Sequence, residues 1–206
     1  MDIASKVDGV VVDDAFLNQH AHINLNTGLT PVFTSLDVFK YIYLEGHFSE
    51  LQYLEVRTRL RTSGYSAIPI SETELTSYLN KATITDGLVD ETAELKAVRN
   101  NLLQMQIFGA LNMPNDFSYL VKLQKTIRSC IIDQWNHGEN IEAVKARSNW
   151  LLEFTDFRHW AFCYSYEIGS TLASVSLMTN AQAFMSSGLI ANDARKAAYN
   201  LSLIHI

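Results

Sequence analysis

The chain has 206 residues, of which 48% are hydrophobic and 18% charged, and a formal net charge of −6. That composition supports one large domain or two small ones and excludes a chain disordered by composition. The acidic balance excludes a nucleic-acid field spread over the whole surface, so any nucleic-acid contact needs a local basic patch.

No stretch is long and apolar enough to span a bilayer, and no basic segment followed by an apolar one marks a signal peptide, so the expected location is the cytoplasm without a membrane partner. The two cysteines, Cys130 and Cys163, lie in apolar helical contexts outside any Cys-x-x-Cys pair, which predicts buried, reduced thiols.

In chain order, "GVVVD" (9–13) is a continuous β-branched run and predicts a buried strand of a parallel sheet. A helical stretch is expected over "DAFLNQHAHINL", then a turn-rich loop "NTGLTP" and a second strand "PVFT". "TSLDVFKYIYLEG" reads as a helix with Thr34 and Asp37 in a capping box, Leu36, Phe39, Tyr43 and Leu44 as its apolar stripe, and Gly46 as its stop. "SELQYLEVRTRLRTSGY" is the next helix, with Leu51, Leu54 and Leu60 buried and Gly64 ending it. "SAIPI" predicts a third strand, placed at an edge or end by Pro69. "SETELTSYLNKA" opens on Ser71 and Glu74, a second capping box.

Beyond residue 81 the pattern predicts helices only, with Asp90, Asn115 and Asn140 as N-caps. The expected fold is therefore α/β at the front, with a short and mostly parallel sheet, followed by an all-α part. The expected domains are 1–80 and 81–200, joined at "NKATITDGLV" (80–89).

The stretch with chemical content is "VDGVVVDDAFLNQH". A strand that delivers Asp13 and Asp14 at its carboxyl end places two acids where open α/β sheets bind ligands. Paired carboxylates suit a hard divalent cation. They equally suit a capping role at the helix expected from Ala15, which on spacing alone carries the greater weight.

"VDGVVVDDAFLN" followed by "TPVFTSLDVFKYIYLEGHFSELQYLEVRTRLRTSGYSAIPISETEL" resembles the C-terminal half of a bacterial PIN-like domain, a module of large multidomain proteins. The likeness covers residues 7–75 and rests on the order of the elements. It implies a ribonuclease parent that uses Mg²⁺ or Mn²⁺ held by about three or four acids. Asp14 fits the strand-end metal acid and catalytic residue, with Asp13 as its second. RNA is the implied partner. The family's other acids would lie upstream of Met1, and Val12 stands where many PIN domains have a hydroxyl residue. The resemblance thus implies a truncated PIN-like fragment that is inactive alone and whose partner is the missing N-terminal part of the same protein.

Two further readings stand beside it. One is a non-catalytic interaction or regulatory module. The other is a receiver-like phosphoacceptor domain, which would need a second strand with its own Asp and a late Lys, neither clearly in place.

Arg57, Arg59 and Arg61 form a basic cluster in which 57 and 61 share a helix face. They suit either a nucleic-acid contact through Arg57 and Arg61 or a solvated helix paired with Glu50 and Glu55. Asp37 reads as a cap more than as a further site acid. His20 and His22, two apart, read as ordinary helix residues rather than a zinc pair. The aromatic residues around Trp135, Trp150 and Trp160 read as packing. The ending "LSLIHI" (201–206) matches the translation of CTG TCT CTT ATA CAC ATC, which resembles a transposase mosaic-end sequencing adapter, so the native chain is expected to continue past Asn200.

Overall fold

The computed structural model describes residues 8–13, 20–25, 28–65, 67–107, 116–138, 140–156 and 158, with 169–171, 173–174 and 176–177 beyond them. Asp14, Asn115, Trp160, Cys163 and the 201–206 tail lie outside the described residues. The chain forms two compact units, Met1–Ile68 with Asn100–Phe117, and Pro69–Arg99 with Ser118–Ile206.

The first unit opens on a three-stranded sheet in the order β1-β3-β2, made of β1 (Val10–Val11), β2 (His22–Leu25) and β3 (Gly28–Phe33). β1 runs parallel to β3, with Val10 opposite Val32 and Val11 opposite Phe33. β2 runs antiparallel to β3, with His22 opposite Pro31 and Leu25 opposite Gly28. The sheet is therefore mixed rather than mostly parallel. The stretch through His22 and Ile23 is strand, not helix, because backbone pairing with β3 outweighs a local helical spacing. β1 is also not buried, since Val11 is 52% exposed.

Helix α1 (Ser35–Leu44) begins at Thr34, whose side chain accepts from the Asp37 N–H while Asp37 returns a bond to the Thr34 N–H, the reciprocal box expected. α2 (Glu50–Thr62) has the same arrangement between Ser49 and Gln52. The two helices meet where Tyr43 stacks on Tyr53 at 4.7 Å, and Phe39 of α1 stacks on Phe48 of the connecting turn at 6.3 Å. The expected leucine stripe of α2 is not its buried face. Leu51 is 69% exposed, whereas Arg57 and Arg61 are buried. "SAIPI" forms no strand in its described residues, because Ala67 takes a positive φ of 56° that breaks the extended chain.

The second unit holds α3 (Glu72–Lys81), a hairpin of β4 (Ile84–Thr85) and β5 (Leu88–Val89), and α5 (Asp116–His137) and α6 (Ile141–Phe154) almost entirely. α4 (Ala93–Ile107) contributes residues to both units. The units thus divide the chain differently from the expected boundary at 80–89. α3 belongs with the later helices because Leu75 and Leu79 are fully buried and its polar groups bond to α5. Ser71 caps α3 as expected, but the Glu74 carboxylate is buried and accepts from the Tyr78 hydroxyl. Leu95, Leu120, Ile127 and Leu151 complete an apolar core with Trp135, Trp150 and Phe154, so these aromatic residues pack as expected.

The hairpin lies in the segment expected to be a linker before helices only. Asp86 and Gly87 have φ values of 53° and 76°, the double left-handed turn that matches strand twist in two-residue hairpins. The dipeptide Asp-Gly was its legible signal. Asp90 closes this hairpin instead of capping α4. Its carboxylate accepts from the hydroxyls of Thr85 at 2.7 Å and Thr83 at 2.8 Å, and these bonds lower its pKa. The α4 cap is Thr92, which accepts from the Leu95 N–H. Asn140 caps α6 as expected, accepting from the N–H groups of Glu142 and Ala143.

Cys130 is fully buried on α5, and burial pushes its thiol up to about 12. At pH 8 the reactive thiolate is therefore scarce as well as inaccessible. With Cys163 replaced by serine, alkylation of Cys130 by iodoacetamide should be about a hundredfold slower in the native protein than in urea. Equal rates would place the thiol at the surface.

Candidate functional site at the carboxyl end of the parallel strands

Asp13 follows β1 after one residue, Val12, whose N–H still bonds to the Phe33 carbonyl of β3. The carboxylate thus leaves the sheet at the shared carboxyl end of two parallel strands, at the start of α1. Its Oδ1 accepts from the Ser35 N–H at 2.8 Å, and its Oδ2 from the Ser35 hydroxyl at 2.5 Å and the Tyr65 hydroxyl at 3.2 Å. An exposed acid is thereby fixed in orientation by three donors from two distant segments. Asp13 does cap a helix, but that helix is α1, across 22 residues of sequence.

The α1 N-terminus is doubly supplied with carboxylates. Asp37 binds the Thr34 N–H and hydroxyl through one oxygen, both at 2.8 Å, while Asp13 takes Ser35. Asp37 is accordingly committed to the capping role expected of it.

Tyr65 is positioned by a residue that sequence reasoning missed. Asn101, 1% exposed, donates its Nδ2 to the Tyr65 carbonyl and accepts the Ile68 N–H at 3.1 Å. One buried amide thus holds both sides of the kink at Ala67. Nothing in a lone Asn within a helical run signals this, because its partners lie 33 and 36 residues away. Ser35 and Tyr65 were also missed. Ser35 was readable only as the first helical residue, with one of the N–H groups that every helix leaves without an internal partner.

Of the four sequence-selected site residues, the structure shows three. Asp13 stands at the strand end. Arg57 and Arg61 are 8% and 1% exposed, so their guanidinium groups are withdrawn from solvent. The Arg57 guanidinium lies 5.4 Å from the Tyr53 ring centre and donates to its hydroxyl at 3.2 Å. The solvated helix face expected for this cluster is occupied by Arg59, which pairs with Glu55 at 2.6 Å with both side chains exposed.

Among the described residues no group of three or more His, Cys, Asp or Glu side chains could hold a metal ion. Three of the roughly four acceptor sites of the Asp13 carboxylate are already engaged. These residues by themselves do not fit a tightly held divalent cation. No helix among the described residues is long and apolar enough to cross a membrane. No protein-family profile, curated protein or solved structure matches the chain.

Proposed function

We propose that residues 7–75 are part of a PIN-like unit in which Asp13, with Asp14 beside it, is a strand-end acid of a ribonuclease site using Mg²⁺ or Mn²⁺. The remaining acids of that site come from outside these 206 residues. The chain alone is then inactive, since one or two carboxylates leave such an ion mostly water-bound and gaining little over solution. The observation that carries this reading is the Asp13 carboxylate, exposed at the carboxyl end of parallel β1 and β3 and oriented by Ser35 and Tyr65. Hydrogen-bond donors behind an acid are what a ligand carboxylate needs to hold its direction.

A second reading, an interaction or regulatory module, is favoured by a different observation. α1 buries none of its residues, and Tyr41, Leu44 and Leu51 are 63%, 68% and 69% exposed.

The chain, purified alone and incubated with single-stranded RNA and Mn²⁺, should show no cleavage above a metal-free control. Mn²⁺-dependent cleavage that disappears in Asp13→Asn, Asp14→Asn would mean that these residues already contain a complete site, and the proposal of outside acids would fail.

A further inference from the structure

In the second unit, the C-terminal ends of α3 and α5 and the start of α6 enclose a cleft of about 340 Å³. Asn80, Asp133, Gln134, His137, Asn140 and Arg147 line it. The volume is at the small end of the range for small-molecule sites, and the lining is mostly polar.

Arg147 sets its chemistry. The guanidinium donates through Nη1 to Gln134 Oε1 at 3.3 Å and through Nη2 to the Asn80 carbonyl at 3.5 Å, both long bonds to neutral acceptors. Its Nε is buried with no hydrogen-bond partner. Among the described residues no carboxylate is within ion-pair reach of it, and burial lowers its pKa with no anion to offset the effect. A partly buried cation is ordinarily paired, and the cost of leaving it otherwise falls on the fold.

The neighbours hold this cation in place. Gln134 Nε2 donates to Asn80 Oδ1 at 3.2 Å, which ties together the two residues whose oxygens, Gln134 Oε1 and the Asn80 backbone carbonyl, accept from the guanidinium. The Asn80 amide nitrogen is left as a donor beside it. The Asp133 carboxylate in the same lining is engaged by His137 at 2.9 Å. The turn that forms the cleft wall is fixed by Gly138, where a Cβ would lie 2.1 Å from Val144 Cγ2 and 2.5 Å from the Gln134 carbonyl oxygen. The α6 N-terminus adds a favourable dipole, although Asn140 already takes its first N–H groups.

We propose that this cleft binds a carboxylate, held by the Nη hydrogens of Arg147 that Gln134 and Asn80 leave over and by the Asn80 amide. A singly charged planar oxyanion suits it better than a phosphate dianion, because one permanent cation is present and Asp133 shares the lining. The carboxylate has two possible sources, a small free acid or the C-terminus of a peptide.

Titration of the ¹⁵N-labelled full chain separates them. Propionate serves as the free acid, and a short neutral peptide is used with a free or an amidated C-terminus. The expected result is a saturable shift of the Asn80, Gly138 and Arg147 signals with propionate, with the free-acid peptide, or with both, and none with the amidated peptide. Propionate alone would identify a small-acid site, and the free peptide alone a chain-terminus site. Arg147→Gln should weaken binding about tenfold or more, as expected for removing a charge-assisted hydrogen bond. If that variant does not fold, Asn80→Asp provides the same test by placing a negative charge beside the site. No saturable shift with either carboxylate, or unchanged affinity in the folded variant, would overturn the proposal.

Discussion

Leu79→Ala should cost about 3 kcal/mol of stability, within the range for emptying a fully buried leucine site. Leu79 is 0% exposed on α3, in a unit whose other buried side chains include Leu75, Leu95, Leu120, Ile127 and Leu151. Removing the isobutyl group forfeits its transfer free energy, and the surrounding helices can refill only part of the space because protein interiors are close-packed. For a chain of this size the loss corresponds to a fall of roughly 6–12 °C in melting temperature. Leu88→Ala is the matched control. Leu88 is 62% exposed on β5, and its truncation should change stability by less than about 0.5 kcal/mol. Equal effects would mean that the core is not where the burial of α3 puts it.

What was legible in the sequence was the chemistry that side chains exert on their own backbone. Thr34 with Asp37, Ser71 with the Glu74 N–H, and Asn140 with the start of α6 act over a few residues, so the spelling alone locates them. The glycine stops of α1 and α2 are local in the same way, with Gly46 and Gly64 at positive φ. The Asp86-Gly87 turn is equally local, with both residues at positive φ. Tertiary pairing was not legible. β2 follows a helical spacing yet pairs with β3, and α2 turns two arginines inward while Leu51 faces out. The site divides along the same line. Asp13 could be placed at a strand end from "VVVDD", but its donors stand 22 and 52 residues away.

Asn101→Leu should cost about 2 kcal/mol, the scale of leaving buried polar groups without the partner they use. Leucine has the same side-chain branching as asparagine but bulkier methyl groups, so overpacking adds to the loss of the amide. It removes the acceptor of the Ile68 N–H and the donor to the Tyr65 carbonyl in one step, at a site 1% exposed. The structural consequence goes beyond stability. Tyr65 donates to Asp13, so loosening residues 65–68 should also change the surroundings of that carboxylate. The measurements are a urea unfolding midpoint and the amide signals of Asp13 and Ser35. A variant as stable as the parent, with both signals unmoved, would show that Asn101 does not position the site. Asn101→Asp keeps the acceptor for Ile68 but sets a buried carboxylate oxygen against the Tyr65 carbonyl, so it should cost at least as much.

The strand-end reading is tested most directly by paramagnetic broadening with Mn²⁺. Substoichiometric Mn²⁺ added to the ¹⁵N-labelled chain should broaden the amides of Asp13 and Ser35 first, weakly and in fast exchange. Asp13→Asn should weaken that selectivity and the double change Asp13→Asn, Asp14→Asn should abolish it, since Asp13 is the carboxylate that the sheet and the start of α1 hold in place. Broadening centred elsewhere, for instance on the exposed carboxylate of Asp90, or broadening at Ser35 that survives the double change, would contradict the account.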